Sequence, residues 1–139
     1  MISYENEYPD AYRYIDVKDK VVLDIGADIG TSAKRFINQG AKKVICYSLD
    51  MQKIFDDKIE WHFEWHGEYV FAQVLKIDCE GCECMLTQNM IEKYKEWYIA
   101  IHKFAFCYYA MKKYLNSVGK LVYVTPDKKE RMYARSYYE

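Results

Sequence analysis

The chain has 139 residues, 51% of them hydrophobic and 29% charged, and its net charge is -1. A charge this close to zero provides no general basic field for nucleic acid, and no apolar run approaches the roughly 20 residues of a membrane helix. The polar, acidic start of the chain does not resemble a signal peptide. We therefore expect one cytoplasmic domain, residues 1–139, with neither a membrane nor a nucleic acid as its partner.

The first 20 residues predict one short helix that lies over the rest of the fold. Tyr4, Tyr8 and Tyr12 recur at helical spacing, and Pro9 followed by Asp10 is typical of a helix start. We expect this helix to contribute mainly to packing.

A buried strand and a glycine turn come next. Residues 21–25 are apolar except for Asp24, and Gly26 and Gly30 bracket the residues that follow. An apolar run of this length that ends in glycine predicts a strand covered on both faces and a tight turn.

A helix follows the turn. Thr31 or Ser32 can cap it, Ala33 and Phe36 lie on one face at helical spacing, and Gly40 marks its end. The order strand, turn, helix predicts the opening half of a nucleotide-type βαβ unit.

The charges of the turn indicate the class of ligand. A dinucleotide fingerprint would need glycine where this chain has Asp28 and Thr31, and an aspartate there repels phosphate. Asp24 and Asp28 would instead attract an ammonium or a sulfonium group, and the helix N-terminus can receive a carboxylate. S-adenosylmethionine carries all three groups.

The middle of the chain predicts two kinds of strand. Residues 43–47 are a second buried strand, whereas residues 59–66 alternate apolar and polar side chains and predict one long half-buried strand. Residues 69–72 can return as its hairpin partner before the central strand at residues 74–77. This leaves little room for a helix between the second and the central strand.

The last third of the chain predicts alternating helices and strands. A helix follows Glu83, residues 97–101 form a strand that ends at His102, and a helix follows near Cys107. Strands at residues 121–124 and 132–138, joined by a turn, close the sheet.

Two motifs resemble a known family. Residues 21–30 are similar to the first motif of class I S-adenosylmethionine-dependent methyltransferases, and residues 75–83, LKIDCEGCE, are similar to the K-I-D-x-E-G-x-E signature of the FkbM-type branch, whose members methylate oxygen. The resemblance covers roughly residues 18–103. It implies an α/β fold of three layers, Rossmann-like, with a mostly parallel sheet, an antiparallel last strand and a shortened region between strands 2 and 4.

The resemblance also implies a cofactor site at the carboxyl ends of the strands. In the family an acid after the second strand binds the ribose hydroxyls; here Ser48 takes that position and Asp50 is the nearest substitute. The residues expected to bind S-adenosylmethionine are Asp24, Gly26, Ala27, Asp28, Gly30, Thr31, Ser48, Asp50 and Asp78.

The expected reaction is transfer of the methyl group to a hydroxyl of a small molecule or sugar. A base at a strand end would accept the hydroxyl proton, and the candidates are Asp78, Glu80 and His102. Asp78 can alternatively bind the ammonium of the cofactor or a metal ion, and His102 can be a structural histidine.

Two other functions are open at this point. The shortened middle region and Ser48 are consistent with a degenerate methyltransferase-like domain that binds a partner without catalysis. An RNA-binding surface is the other possibility, although a solvated edge strand explains the same residues. Its basic and aromatic residues are Lys128, Lys129, Arg131, Tyr133, Arg135, Tyr137 and Tyr138.

The cysteines and histidines do not predict a metal site. Five cysteines are an odd number, and Cys79, Cys82 and Cys84 have no second paired knuckle, so we expect small buried or half-buried thiols. His62, Glu64 and His66 occupy alternate positions of the predicted strand and therefore share one face, which we expect to be solvated.

Overall fold

Seven strands form a single sheet in the computed structural model, which describes residues 11–137. The sheet order is β3-β2-β1-β4-β5-β7-β6, with β7 antiparallel to both of its neighbours and the other pairs parallel. The strands are β1 (Val21–Ile25), β2 (Lys43–Tyr47), β3 (Ile59–His62), β4 (Val74–Ile77), β5 (Glu96–His102), β6 (Lys120–Val124) and β7 (Glu130–Arg135). This mixed sheet confirms the predicted α/β class and its antiparallel last strand.

Helices cover both faces of the sheet and produce the predicted three layers. The helices are α1 (Thr31–Asn38), α2 (Gln88–Lys93) and α3 (Tyr108–Val118), with short 3-10 helices at Ala11–Arg13 and Cys82–Met85. Phe36 of α1 packs with Tyr12 and Tyr98 on one face, and Ile91 of α2 and Leu115 of α3 pack on the other. Among the helices of residues 11–137, none is long and apolar enough to cross a membrane.

Three central strands, β1, β4 and β5, match their prediction because they are buried on both faces, whereas the residues of β2 alternate between half-buried and buried. All four residues of β4 and all seven of β5 are buried, and β1 is buried from Val22 onward. Successive side chains of a strand point to opposite faces of the sheet. Because helices cover both faces, both need apolar side chains.

The segment between β3 and β4 was predicted wrongly in part. The strand predicted over residues 59–66 ends at His62, Phe63 is 58% exposed, and residues 69–72 form no strand in the part of the chain that is described. Trp65 is buried because it packs against the α2 and β4 side of the sheet, where its indole N–H donates to the backbone oxygen of Glu68. The segment thus folds back on the sheet as a loop, and the predicted shortening between β2 and β4 is confirmed.

Two local expectations also need correction. Gly30 precedes α1 in a left-handed conformation, and neither Thr31 nor Ser32 caps the helix. The helix predicted after Glu83 is interrupted at Leu86, where the chain is extended, and α2 begins after Thr87, whose hydroxyl accepts from the N–H of Met90. The helix predicted in the first 20 residues lies mostly outside the described residues.

Four of the five cysteines form disulfides, contrary to the expectation of free thiols. Cys79 pairs with Cys82, Cys84 pairs with Cys107, and Cys46 is a buried free thiol. Cys107 is distant in sequence, but it follows β5 as Cys84 follows β4, and the parallel pairing of these strands brings the two loops together. The disulfide therefore joins two loops at the carboxyl edge of the sheet.

Candidate functional site

The carboxyl ends of β1, β2 and β4 border a cavity of about 650 Å³. Volumes of several hundred Å³ are typical of small-molecule sites, and this edge of an α/β sheet is where ligands usually bind. Its walls are the turn after β1, the residues after β2, the loop after β3 and the loop after β4. They include Gly26, Asp28, Ser48, Leu49, Asp50, Phe63, Trp65, Asp78, Glu80, Met85 and Glu130.

The backbone of the first glycine of the turn lies directly against the backbone that follows β4. Gly26 has a φ of 82°, and a Cβ atom there would lie 2.0 Å from the backbone oxygen of Asp78. The N–H groups of Gly26 and Ala27 both donate to the backbone oxygen of Tyr47. Gly26 therefore joins the ends of β1, β2 and β4 and shapes the floor of the cavity.

Asp24 is paired inside the protein. It is fully buried, its Oδ1 lies 2.8 Å from Lys76 Nζ, and its Oδ2 accepts a hydrogen bond from Ser32 Oγ. Asp24 and Lys76 are register partners on neighbouring strands, so both point to the α1 face. Asp24 was predicted as a charge available to the ligand, whereas it is paired with a buried lysine.

Lys76 also connects this pair to the glycine turn. Its ammonium donates to the backbone oxygen of Gly26 over 3.2 Å. Burial lowers the pKa of Lys76, but the charge of Asp24 outweighs that effect and the pKa lies above its usual value. The Lys76 ammonium is therefore charged and supports the turn through its contact with Gly26.

Asp28 is the acid of the turn that reaches the cavity. Its backbone has a φ of 51°, a conformation that aspartate tolerates better than most residues. Its side chain contacts solvent in the open cavity, yet the surrounding protein desolvates the carboxyl and raises its pKa to about 6; Lys76 opposes this rise, and Asp78 adds to it. Ionisation of Asp28 is thus less favourable than that of a free aspartate, and a nearby cationic ligand would offset this cost.

Ser48 and Asp50 have different roles at the end of β2. Ser48 is 5% exposed, and its hydroxyl donates to the backbone oxygen of Asp28 over 2.6 Å, so it attaches the turn to β2. Asp50 is exposed beside the cavity, and its Oδ1 accepts from the backbone N–H of Gln52. Within residues 11–137, Asp50 Oδ2 has no hydrogen bond and can accept from a ligand.

His102 lies behind the cavity wall among three carboxylates. Its Nδ1 is 3.0 Å from Glu83 Oε2, and its Nε2 is 2.6 Å from Glu130 Oε1 and 3.4 Å from Asp78 Oδ1. Burial lowers the pKa of His102, but hydrogen bonds with these carboxylates outweigh it and raise the pKa to about 12. The imidazole is therefore protonated at neutral pH in this arrangement.

Asp78 and Glu80 both line the cavity and differ in their surroundings. Burial raises the pKa of Asp78, but its hydrogen bond with His102 and the charge of Lys76 outweigh burial and keep the pKa below its usual value. Asp78 is therefore a weak base. Glu80 is exposed and has a φ of 40° at the tip of the loop.

Three residues of this site were not predicted as functional. Lys76 and Glu83 belong to the quoted LKIDCEGCE motif, so their position in it was the available signal. Glu130 starts β7, far along the chain, and only the antiparallel pairing of Glu130 with His102 brings it to the site. No pattern in the sequence indicates that contact.

Comparison with solved structures identifies the architecture as the class I methyltransferase fold. A dimethyladenosine transferase from Plasmodium falciparum superposes with a TM-score of 0.68 over 96% of this chain and 62% of its own, at 13% identity. A 1,6-didemethyltoxoflavin-N1-methyltransferase from Burkholderia thailandensis, with bound S-adenosylhomocysteine, gives a TM-score of 0.55 over 84% of this chain and 69% of its own, at 13% identity. At such identities the likeness shows the fold.

Sequence comparison shows the family. No protein-family model matches the chain. Uncharacterized protein 158B of Sulfolobus islandicus rod-shaped virus 1 is 35% identical over 95% of this chain and 91% of its own length. Uncharacterized protein 65 of Sulfolobus islandicus filamentous virus is 39% identical over 72% of this chain and 70% of its own. The chain belongs to the same family as these two viral proteins.

Proposed function

We propose that this protein is an S-adenosylmethionine-dependent methyltransferase that transfers the methyl group to a hydroxyl of a small molecule or sugar. The main support for this proposal is the cavity at the carboxyl ends of β1, β2 and β4, whose lining, within residues 11–137, includes carboxylates and no lysine or arginine. Asp28, Asp50, Asp78 and Glu80 all line it, whereas the nearby Lys76 is already paired with Asp24. Such a site favours a cationic ligand over a phosphate.

The cofactor would occupy the part of the cavity between the glycine turn and β2. Asp50 would accept hydrogen bonds from the ribose hydroxyls, and Leu49 and Phe63 provide apolar surface for the adenine. Asp28 would face the cationic end of the molecule. A solved structure with this fold contains S-adenosylhomocysteine, which supports the choice of cofactor.

The reaction needs little covalent chemistry from the protein. When bound, S-adenosylmethionine would supply a methyl group on a positively charged sulfur: an acceptor oxygen would displace it in line with the carbon–sulfur bond, whose electron pair would stay on sulfur as a neutral thioether. The hydroxyl proton passes to a base as the new carbon–oxygen bond forms. We assign that role to Glu80, which lines the cavity and is exposed, because the hydrogen bond with His102 makes Asp78 a weak base and His102 lies behind the wall and is protonated.

A non-catalytic binding domain is the alternative. Ser48 is committed to the backbone of Asp28, so ribose binding would depend on Asp50. A binding domain would retain the cofactor or its product without turnover. Transfer of a labelled methyl group to polyol and sugar acceptors distinguishes the two functions.

The pH dependence of cofactor affinity tests the role of Asp28. With a pKa of about 6 in the free protein, this carboxyl is mostly protonated at pH 5 and mostly ionised at pH 7. Affinity for S-adenosylmethionine should therefore rise by up to about tenfold between these pH values, because only the ionised form attracts the cation. Isothermal titration calorimetry across this range measures it.

Asp28→Asn is the matched variant for this experiment. It should bind with the affinity that wild type shows at pH 5 and lose the pH dependence. S-adenosylhomocysteine lacks the sulfonium charge and retains the ammonium. If its affinity depends on pH in the same way, the ammonium faces Asp28; if the dependence is lost, the sulfonium does. Equal pH dependence in wild type and variant would contradict the assignment.

A further inference from the structure

Three potential metal ligands from three different strands meet beside the cavity. Asp78 follows β4, His102 ends β5, and Glu130 starts β7. One ligand atom from each lies within 4.8 Å of the others, and His102 Nε2 is the nitrogen that faces Glu130 and Asp78. Because Asp78 and Glu130 also line the cavity, the cluster is accessible from the side where a ligand would enter.

Two carboxylates of the cluster converge on one nitrogen of the histidine. His102 Nε2 can present one N–H, yet the carboxylates of Glu130 and Asp78 both approach it, at 2.6 and 3.4 Å. Asp78 and Glu130 also share a hydrogen bond, so the three side chains already point their polar atoms at one another. A divalent cation at this point would replace the proton on Nε2 and bind both carboxylates.

A buried glutamate orients the histidine from the other side. Glu83 is fully buried, and its Oε2 accepts from the backbone N–H of His102 and lies 3.0 Å from Nδ1. Its Oε1 accepts from the N–H of Gly81. A carboxylate on the second ring nitrogen is the usual partner of a metal-binding histidine, because it fixes the ring and makes the free nitrogen a stronger ligand.

We propose that Asp78, His102 and Glu130 form a binding site for one divalent transition-metal ion, such as Zn²⁺ or Mn²⁺. With bonds of 2.0–2.2 Å, ligand atoms of a tetrahedral site lie about 3.4 Å apart. The separation of His102 Nε2 from Asp78 Oδ1 already has this value, and Glu130 needs to withdraw by less than about 1 Å. The sequence analysis named only Asp78 of these three residues as a possible metal ligand.

The ligand set determines the class of ion and leaves room for a substrate. One imidazole and two carboxylates suit Zn²⁺, Mn²⁺ or Fe²⁺ better than Ca²⁺ or Mg²⁺, which prefer oxygen ligands alone. Three protein ligands leave at least one coordination position, as catalytic sites do and structural sites do not. This further step rests on the proposed function: the ion would bind an acceptor oxygen next to the transferred methyl group and lower its pKa.

Metal binding can be measured without the cofactor, so its outcome is independent of the proposed methyltransferase activity. Metal-stripped protein, kept without reductant so that the disulfides persist, is titrated calorimetrically with ZnCl₂ and with MnCl₂. We expect one Zn²⁺ per chain at micromolar concentrations, and at least tenfold weaker binding in Glu130→Gln and in Asp78→Asn. Absence of binding for both ions at millimolar concentration would overturn the proposal.

Glu64→Gln is the matched control. Glu64 lines the same cavity and lies 3.7 Å from the exposed His66, so this variant also tests a surface site. Its Zn²⁺ affinity should equal that of wild type, and a loss there would overturn the assignment. Zinc X-ray absorption of the loaded protein should show nitrogen and oxygen ligands, whereas sulfur ligands would place the ion at the cysteines and refute the site even if the variants are too unstable to titrate.

Discussion

Asp24→Asn is expected to lower the free energy of unfolding by about 3–5 kcal/mol, the usual cost of removing one partner of a buried ion pair. The variant leaves Lys76, whose side chain is 3% exposed, as a buried cation without its carboxylate. For a domain of this size the melting temperature should fall by about 10–17 °C. Chemical denaturation with guanidinium measures the free energy directly.

The matched control removes the charge that the first variant leaves uncompensated. In Asp24→Asn combined with Lys76→Met, the asparagine can still accept from Ser32 and the methionine fills the space of the lysine stem. The double variant should recover most of the lost stability. A single variant within 1 °C of wild type would contradict the assignment of Asp24 to an internal pair.

Gly26→Ala is expected to destabilise the protein by more than about 3 kcal/mol or to prevent folding. The new methyl group would lie 2.0 Å from the backbone oxygen of Asp78, and it would also require a left-handed backbone that costs about 1–2 kcal/mol. The atoms nearest to the new methyl group belong to the backbone of Asp78 and Cys79, so no flexible side chain can move away to make room. The same denaturation experiment measures the loss.

Gly40→Ala separates the clash from the backbone conformation. Gly40 has a φ of 96°, but its nearest neighbour is the flexible side chain of Lys18 at 3.3 Å. This variant should lose only about 1–2 kcal/mol from backbone strain. If both variants lose the same free energy of unfolding, the contact of Gly26 with the backbone after β4 does not explain why the turn needs glycine.

The central strands could be predicted because a single physical rule determines them. β2 has the predicted bounds of Lys43–Tyr47, and β1 has those of Val21–Ile25. Strands covered on both faces need continuous apolar runs, and the runs in this chain end at glycine or at polar or charged residues. The antiparallel pairing at the end of the chain followed from its short turn.

The segment after β3 could not be predicted from alternation alone. Trp61, Phe63 and Trp65 have the spacing of one strand face, yet Trp61 packs on Gly30, Phe63 is exposed, and Trp65 joins the opposite layer. Alternation is a local property, whereas the bend after His62 depends on contacts with distant parts of the fold. The large aromatic residues are compatible with both outcomes.

The candidate site was predictable as a location but only in part as chemistry. The sequence identified the strand ends, and Asp28, Asp50, Asp78 and Glu80 do line the cavity. It could not show that Ser48 binds the backbone of the turn or that Asp24 is paired, since both facts depend on strand register.

Calorimetric titration with S-adenosylmethionine and S-adenosylhomocysteine tests the central claim most directly. We expect one site with a dissociation constant of about tens of micromolar, or about -6 kcal/mol, because Ser48 replaces the usual ribose-binding acid and Asp50 alone substitutes for it. Asp50→Asn should weaken binding about tenfold through loss of a charged acceptor, whereas Asp57→Asn, an exposed acid outside the cavity, should not. Absence of binding to either compound at millimolar concentration would contradict the account.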